Sequence, residues 1–464
     1  MVKIIGGGLA GSEAAWQLAS RGLSVTLYEM RPVRSTKVHQ TDRLGELVCS
    51  NSFRGSKLEN AVGLLKEEMR QLGSLIMRIA NKTKVPAGGA LAVDRKQFAE
   101  EVTKALECHP LITIRREEIR DIPIRTSTSP VIIATGPLSS DAFSSAISKL
   151  VGHKQLYFYD AISPIVLADS IDLRKAFWAS RWSRQASLDS SGIDDACHAQ
   201  NKDGDYLNCP MSEPQYRTLH HELINSELVE RHDFDQTQFF EGCLPVEVMA
   251  HRGLDTLRFG PMKPVGLIDP ATGKRPHAVV QLRQDDIAAD HYSLVGCQTQ
   301  LKWGEQRRVF CLIPGLEQAE FVRYGIIHRN TYINAPTILS DTWQVRHQPA
   351  LFFAGQISGV EGYVESAASG LMAGLNAFAI ARGREASVLP RTTAMGALAY
   401  YVSNANPINY QPTNIAFGLF PPLDCPPRNK LARKQAIANR ALRDLTDWKT
   451  LSGCIDEKIP SIVS

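Results

Sequence analysis

The chain has 464 residues, of which 44% are hydrophobic and 22% charged, and its formal net charge is +4. This composition is ordinary for a globular protein and excludes a disordered or a fibrous chain. At roughly 100–200 residues per domain, the length predicts two or three folding units. The small net charge means that any nucleic acid has to be bound by local basic patches.

Targeting and redox signals are weak throughout the chain. The N-terminus begins with a strand-like run and no signal-peptide pattern, and the apolar runs are shorter than the roughly 18–20 residues of a membrane span. The nine cysteines are scattered singly, without a CxxC pair. We therefore expect a cytoplasmic protein with no membrane contact, no disulfide framework, no metal site and no stable protein partner.

The N-terminal segment has the pattern of a dinucleotide-binding fold. Apolar residues predict a strand over Val2–Ile5, a helix over 12–21 and a second strand from residue 23 to Glu29. Between the first strand and the helix lies a GxGxxG sequence formed by Gly6, Gly8 and Gly11.

Each glycine of this motif is needed for a separate physical reason. The first permits a tight turn, the second lets the backbone approach a pyrophosphate, and the third lets helix and strand pack closely. The helix N-terminus offers N–H donors to phosphates, and Glu29 suits a ribose hydroxyl. The Glu-x-Arg ending favours FAD over NAD, with a purely structural turn as the alternative. The predicted FAD contacts here are Gly6, Gly8, Leu9, Ala10, Gly11, Glu29 and Arg31.

Two later segments fit the same cofactor. A buried strand over 130–133 runs into an Ala-Thr-Gly turn, and another over 350–353 ends in Ala-Gly-Gln before a helix predicted over 365–381. A plain buried strand–helix pair is the alternative for the second. The predicted contacts in these segments are Ala134, Thr135, Gly136, Gly355, Gln356, Gly362 and Tyr363.

The nucleotide-binding fold is therefore split along the chain. We predict its first part over 1–160, an inserted domain facing the substrate over 161–325, and its closing part with a basic C-terminal helix over 326–464. The predicted fold class is α/β: a FAD-binding Rossmann-like domain of the two-dinucleotide-fold type, split by an inserted α/β domain. The polar stretch 183–206 predicts a surface loop.

Two cysteines lie in unusual surroundings. Cys243 follows a glycine and is followed by Pro245, which predicts a fixed, irregular backbone, with Glu241 and Glu247 on either side. A reactive thiolate needs cations nearby, and the basic groups that follow are His251, Arg252, Arg258 and Lys263. Cys49 lies in a segment rich in serine and asparagine that predicts a turn or helix cap close to the nucleotide site. A buried structural thiol is the alternative for both.

Three further stretches mix aromatic, amide and basic side chains. Residues 301–308, with Trp303, and residues 324–332 are predicted loops whose side chains could stack on a heteroaromatic ring and pair with a glutamate tail, or else surface turns. A basic helix predicted over 427–448 would follow phosphates or form a solvated face. The candidate folate and tRNA contacts are Trp303, His328, Arg329, Asn330, Arg433, Lys434 and Arg440.

Taken together, the chain resembles the bacterial folate- and FAD-dependent tRNA (uracil-5-)-methyltransferases. The residues that carry the resemblance lie in the blocks 6–15, 46–52, 60–69, 85–95, 240–243, 257–267, 280–285 and 355–368. The loop 183–205, which carries Cys197, looks longer than is usual in the family.

The resemblance implies an activity and its cofactors. The family transfers a carbon from methylenetetrahydrofolate to C5 of a T-loop uridine in tRNA, with reduced FAD as hydride source and NADH or NADPH as reductant of the flavin. It implies that Cys243 is the nucleophile that attacks the uracil and that Cys49 is a second functional cysteine close to the flavin.

Other functions stay open at this level. An rRNA uridine could be the acceptor, since related proteins share these motifs. The rivals are a flavoprotein that modifies wobble uridines, which would be longer at its C-terminus, a general FAD oxidoreductase, and an RNA-binding protein that FAD merely stabilises.

Overall fold

The computed structural model describes residues 1–36, 38–152, 156–181, 204–229, 239 and 243–452. The predicted loop 183–206 lies outside the described residues except for its last three, and Cys197 and Glu241 lie outside them as well. Tyr206 belongs to a strand rather than to the loop.

The described part of the chain alternates strands and helices. The strands are β1 (Val2–Ile5), β2 (Val25–Glu29), β3 (Ser52–Gly55), β4 (Lys84–Val85), β5 (Ala90–Val93), β6 (Ile112–Arg116), β7 (Val131–Ile133), β8 (Leu156–Ala161), β9 (Ile165–Leu167), β10 (Phe177–Ala179), β11 (Tyr206–Met211), β12 (Ala278–Gln284), β13 (His291–Leu294), β14 (Phe321–Arg323), β15 (Ile327–Tyr332), β16 (Gln344–Val345) and β17 (Gln348–Phe353). The helices are α1 (Leu9–Ala19), α2 (Ala61–Gln71), α3 (Leu75–Lys82), α4 (Arg95–Glu107), α5 (Asp141–Val151), α6 (Glu213–Asn225), α7 (Val246–His251), α8 (Thr256–Phe259), α9 (Trp303–Phe310), α10 (Ala335–Ile338), α11 (Tyr363–Ala381), α12 (Ala394–Asn404) and α13 (Lys430–Ser452).

The first sheet has six strands in the order β16-β17-β7-β1-β2-β6. All its pairs are parallel except β16–β17. Its central strands are nearly continuous runs of valine and isoleucine because both faces are covered; Ile4 of β1 lies opposite Leu27 and Ile132 and is fully buried. Strands from both ends of the chain build this sheet, with the intervening segment between β7 and β16.

Two helices from opposite ends of the sequence, α1 and α11, pack tightly against each other. A Cβ at Gly370 would lie 2.1 Å from the carbonyl oxygen of Ala10, and one at Gly374 would lie 3.0 Å from that of Ala14. The small residues on α11 therefore set the distance between the helices, and any larger side chain would push them apart.

The intervening segment contains a second six-stranded sheet, in the order β10-β11-β12-β13-β9-β14. All its pairs are antiparallel. Side chains from this sheet and from α6 to α9 form a hydrophobic core of their own, which includes Leu219, Val280 and Phe310. A two-stranded ribbon of β8 and β15, which pairs Asp160 with His328, lies in sequence at the two ends of this segment.

Helix α11 is unusually long and apolar. Among the described residues it is the one helix whose length and composition would allow it to cross a membrane, and 83% of its apolar window is buried within the protein. A helix in the centre of a soluble core passes the same test, and α11 lies in the larger hydrophobic core.

Candidate active site

The glycine-rich turn between β1 and α1 has the geometry that the sequence predicts. Gly6 has a φ of +105°, and a Cβ there would lie 2.4 Å from the carbonyl oxygen of Ala134. A Cβ at Gly11 would lie 1.8 Å from the carbonyl oxygen of Gly6, so only glycine lets the helix approach the strand. A Cβ at Gly8 would meet nothing within 4 Å.

The free space at Gly8 lies directly at the N-terminus of α1. Gly8 is the N-cap of α1, and no side chain at that position accepts hydrogen bonds from the N–H groups of the first turn. The first-turn N–H groups are therefore available to an anion, which the helix dipole also favours. The helix begins at Leu9, three residues earlier than predicted, because the glycine turn leads directly into it.

The acidic residue at the end of β2 is tied to a buried arginine. The two oxygens of Glu29 accept hydrogen bonds from Gly7 N (3.0 Å) and from the backbone N and Nε of Arg31 (3.0 and 2.9 Å). Arg31 also pairs with Glu46 at 2.8 Å. Burial alone would raise the pKa of Glu29, but the hydrogen bonds and charge of Arg31 outweigh it, so the pKa is lowered. Glu29 is thus a fixed anion at the rim of the turn.

These groups surround a cleft with about 1050 Å³ of open volume, counting space continuous with solvent. Of the fourteen predicted cofactor contacts, those lining the cleft are Gly6, Gly8, Leu9, Ala10, Glu29, Arg31, Ala134, Thr135, Gly136, Gly355, Gln356 and Tyr363. Gly11 lies under the turn, and a Cβ at Gly362 would lie 2.5 Å from a carboxylate oxygen of Glu365. The cleft thus runs from the α1 N-terminus to the start of α11.

Next to Cys49, the cleft is lined by Val48 and Tyr363. The hydroxyl oxygen of Tyr363, the first residue of α11, accepts hydrogen bonds from the backbone N of Cys49 (2.8 Å) and of Ser50 (3.1 Å). Cys49 is half-buried. Burial and the negative charge of Asp160 raise the pKa of its thiol, so the sulfur is protonated at neutral pH.

Cys243 lies beside two carboxyl groups. The reactive atoms of Asp160, Cys243 and Glu361 are all within 4.8 Å of one another, and Cys243 shares a hydrogen bond with Asp160. Burial, and then the charge of Asp160, raise the pKa of the Cys243 thiol well above its ordinary value. As expected, Cys243 does not lie in a helix interior, since α7 begins at Val246 with Pro245 as its N-cap.

The basic groups that follow Cys243 in the sequence are not among the strongest influences on its thiol. Among the described residues, those influences come from Asp160, Cys49 and Glu361. Arg258 donates to the carbonyl of His277 and pairs with Asp255. Closeness in sequence therefore does not by itself bring a cation to the sulfur.

The ribbon strand β15 supplies two of the predicted substrate contacts. Its residues 327–332 form a strand, so the predicted loop was wrong there. His328 is buried, its Nδ1 has no hydrogen-bond partner, and burial lowers its pKa to about 4. The imidazole is therefore neutral. The Asn330 side chain faces the carboxylate of Asp160, while the side chain of Arg329 lies outside the described part.

Trp303 opens helix α9, so the predicted loop over 301–308 was also wrong. Its ring is 62% exposed. It stacks on Tyr324 at 5.6 Å between ring centroids and 13° between planes, and Tyr324 stacks on Phe321 at 5.3 Å and 7°. The three rings form a ladder whose outer member faces solvent.

The basic C-terminal helix is present and runs over Lys430–Ser452. Arg440 donates to the carbonyls of Pro421 and Pro422, at 2.6 and 2.8 Å, and so fixes the preceding loop. Arg433 is exposed and makes one long hydrogen bond with the carbonyl of Pro427. Lys434 is half-exposed on the same helix.

Several residues of the site were missed by sequence reasoning. Asp160 and Glu361 belong to no recognised spacing, and His39 and Arg323 lie in segments without a pattern. Arg323 donates to the carbonyl of Val48, beside Cys49. His39 lines the cleft near Arg31, and burial lowers its pKa to about 4. A charged residue in an otherwise apolar strand such as β8 was the one available signal for Asp160.

Comparison with curated proteins identifies full-length relatives. A family model described as "Glucose inhibited division protein A" matches residues 1–385. The chain is 55% identical over 441 residues to a protein of Enterococcus faecalis named "Methylenetetrahydrofolate--tRNA-(uracil-5-)-methyltransferase TrmFO", covering 95% of this chain and 97% of that one. A protein of the same name from Heliobacterium modesticaldum is 56% identical over 444 residues, covering 96% and 97%.

Solved structures support the fold. The Aquifex aeolicus GidA structure in the form II crystal superposes with a TM-score of 0.66 at 17% identity, covering 98% of this chain and 75% of that one. The form I crystal gives 0.64 at 17% identity, covering 97% and 78%. The predicted fold class is confirmed, and the matched structures extend beyond the length of this chain.

Proposed function

The chain belongs to the methylenetetrahydrofolate–tRNA-(uracil-5-)-methyltransferase family, and on that premise we propose how its cleft carries out the reaction. The enzyme transfers a carbon from methylenetetrahydrofolate to C5 of a uridine in tRNA. We propose that FAD binds in the cleft, that NADH or NADPH reduces it, that Cys243 attacks the uracil, and that the acceptor is a T-loop uridine in the T-arm.

The cleft residues fit FAD. Because Gly8 has no side chain, there is room for a pyrophosphate against the first-turn N–H groups of α1. The fixed carboxylate of Glu29 suits a ribose hydroxyl. Gly355, Gln356 and Tyr363 would hold the ring end. Bound and reduced, FAD supplies the hydride that turns a methylene into a methyl group.

Cys243 suits the first chemical step. Uracil C5 is a poor nucleophile until a group adds to C6, and a soft sulfur is well suited to that conjugate addition. Addition forms the S–C6 bond and moves the C5=C6 electron pair toward C5 and O4. The half-buried thiol, which lies close enough to Cys49 to interact with it, is proposed to meet a base that is flipped out of its stack.

The folate is proposed to bind beside the ribbon of β8 and β15. The neutral His328, with its unsatisfied Nδ1, can accept or donate one hydrogen bond to a polar heterocycle, and Asn330 lies two residues along the same strand. Arg329 is proposed as a partner of the glutamate tail, as the sequence predicts.

The tRNA is proposed to approach over the exposed aromatic ladder and the C-terminal helix. Trp303 offers an open ring face for stacking by an unpaired base. Phe321 and Tyr324 flank Arg323 in the sequence, and the guanidinium of Arg323 donates to the carbonyl of Val48, beside Cys49, which supports an approach from this side. Arg433 and Lys434 would add phosphate contacts. Arg440 instead donates to the carbonyl of Pro422 and stabilises the loop before α13.

A single observation carries the proposal. Tyr363, which lines the cleft, accepts hydrogen bonds through its hydroxyl oxygen from the backbone at Cys49. Gln356, which also lines the cleft, donates to Glu361 at 2.6 Å, and the carboxylate of Glu361 lies within 4.8 Å of the Cys243 sulfur. These contacts support the proposal that the cofactor and both thiols share one site.

One reaction tests the activity and the nucleophile. Full-length protein is combined with FAD, NAD(P)H, methylenetetrahydrofolate labelled in its methylene group, and tRNA that lacks T-loop methylation. Mass spectrometry of the digested RNA should find labelled methyluridine from the T-loop. The Cys243→Ala variant should bind FAD and give no product, whereas Cys108→Ala, at an exposed position, should behave as the unmodified protein.

The outcomes separate the alternatives. Label in rRNA but not in tRNA would show that the acceptor uridine belongs to rRNA. NAD(P)H oxidation without label in either RNA would indicate a general FAD oxidoreductase. Full activity of Cys243→Ala would remove the nucleophile assignment.

A further inference from the structure

We propose that Asp160 is the base that takes the thiol proton of Cys243 as the sulfur adds to uracil C6, and that it returns the proton when the sulfur leaves. The inference rests on the proposed role of Cys243 as nucleophile. Asp160 is a catalytic residue in this scheme because it hydrogen-bonds the reacting sulfur itself.

The arrangement comes from three distant parts of the chain. Asp160 lies on β8, Cys243 precedes α7, and Glu361 precedes α11. Their reactive atoms lie within 4.8 Å of one another. The backbone N of Ala161 donates to Asp160 Oδ1 at 2.9 Å, which fixes the carboxylate next to the sulfur.

The two carboxyl groups cannot both be charged at this distance without a large penalty. Burial, then the charges of Asp160 and Glu365, raise the pKa of Glu361 well above its ordinary value, while burial raises that of Asp160 to about 6. Glu361 therefore holds a proton at neutral pH and Asp160 is the free carboxylate. The other charges nearby are Arg54, paired with Glu365, and Arg95 and Arg323 on the Cys49 side.

The charges around Cys243 require a base at the moment of attack. Among the described residues, the strongest electrostatic influences on this thiol all disfavour a resting thiolate, and the carboxylate of Asp160 is the largest of them. An acceptor that hydrogen-bonds the thiol lets the S–H bond break while the S–C6 bond forms, so the sulfur never carries a full charge beside Asp160.

The proton is conserved over the cycle. In the first step it moves from Cys243 to Asp160 while the C5=C6 pair shifts toward C5 and O4. C5 then forms a bond to the one-carbon unit, and the C5 proton leaves with the amine nitrogen that carried the carbon, which produces a methylene group at C5. In the last step, the hydride that the proposed function supplies adds to this methylene carbon, the C5=C6 bond re-forms, and the S–C6 bond breaks. The departing sulfur then takes the proton back from Asp160.

Neutralising Asp160 gives opposite results for a base and for a merely repulsive charge. If Asp160 only opposed the thiolate, Asp160→Asn would lower the pKa of Cys243 and speed the addition. If Asp160 is the base, the same change slows it. Asp169→Asn is the matched control because it removes the same kind of charge at an exposed position outside the cleft.

The test measures the addition step alone. The FAD-loaded full-length protein is mixed with a tRNA transcript containing 5-fluorouridine, whose C5 has no proton to lose, and the covalent complex is followed on denaturing gels. Asp160→Asn should form it at least about 100-fold more slowly, and Asp169→Asn within about threefold of the unmodified rate. An unchanged or faster rate for Asp160→Asn, or an equal loss in Asp169→Asn, would overturn the proposal.

Two further measurements complete the design. The rate for the unmodified protein should fall about tenfold per pH unit below pH 6 and level off above it; a rate that keeps rising toward the pKa of the thiol would indicate direct thiolate attack and overturn the base assignment even if Asp160→Asn failed to fold. A covalent complex formed by Cys243→Ala would instead remove the nucleophile on which the inference rests.

Discussion

The second and third glycines of the N-terminal motif, Gly8 and Gly11, allow folding and cofactor binding to be separated by one substitution each. Gly8 has an ordinary φ of −74°, and a side chain there would project into open space. Gly8→Val should therefore leave the apoprotein as stable as before while its side chain fills the place of the pyrophosphate. Gly11→Ala should instead lower the stability of the apoprotein without placing a side chain where the pyrophosphate binds, because its Cβ would lie 1.8 Å from the carbonyl oxygen of Gly6.

The magnitudes follow from the hydrogen bonds and the packing that each substitution disturbs. Each charge-assisted hydrogen bond between a phosphate and an N–H group of the first turn contributes about 1.5–3 kcal/mol. Because about 1.4 kcal/mol corresponds to a factor of ten, removing one such bond weakens FAD binding roughly 10- to 100-fold, and removing two weakens it beyond ordinary detection. Gly11→Ala forces a backbone shift that costs at least the roughly 1–3 kcal/mol of an overpacked core.

Two measurements check this pair. FAD affinity is measured by flavin fluorescence on the apoprotein, and stability by thermal unfolding of the same apoprotein. Gly8→Val with wild-type FAD affinity would refute the assignment of the cleft, and Gly8→Val apoprotein that unfolds at a much lower temperature would mean that the valine side chain clashes with a neighbour. Gly8→Ala, with a smaller side chain, should be intermediate in affinity.

Other predictions concern charges. Arg31→Ala leaves Glu29 and Glu46 as buried, unpaired carboxylates and should cost about 3–5 kcal/mol in urea unfolding; Arg34→Ala, at a half-exposed ion pair, should cost less than about 1 kcal/mol, and equal losses would contradict the reasoning. Glu68 accepts hydrogen bonds from Ala394 N and Met395 N, yet burial raises its pKa to about 8. Its contribution to stability is present at low pH and is lost as the pH rises toward 8, so melting temperatures should fall less between pH 6 and 9 in Glu68→Gln than in the unmodified protein; parallel curves would rule this out. The double change of Arg433 and Lys434 to glutamine should weaken tRNA binding and reduce the slope of log affinity against log salt by roughly 0.9 for each phosphate that is no longer neutralised, whereas an unchanged slope would make α13 a solvated face.

The sequence predicted local structure best where one residue type has one physical use. The strand–turn–helix at Gly6, Gly8 and Gly11 follows from steric limits that act within a few residues, and the geometry agrees. The start of α1 was predicted three residues late, because the glycine pattern specifies the turn and not the first helical hydrogen bond.

The reaction centre was less predictable because it depends on distant parts of the chain. Trp303 and His328 were noticed as unusual residues, but their secondary structure was predicted wrongly, since mixed polar and aromatic runs occur in loops and in half-buried helices or strands alike. Asp160 and Glu361 carry no motif, and only the ribbon β8–β15 and the turn before α11 bring them to Cys243. Charge around a thiol is a property of the fold and not of its sequence neighbours.

The packing of α1 against α11 has a consequence for synthesis on the ribosome. The glycine turn emerges first, yet the helix that covers α1 and the strand β17 that pairs with β7 are about 340 residues behind it. Until they emerge, Ala10 and Ala14 cannot pack against Gly370 and Gly374. The intervening sheet, whose strands all lie between residues 165 and 323, can pair within itself before then. We therefore expect it to be complete while the nucleotide cleft is still open, and FAD to bind only once the end of α11 has left the exit tunnel.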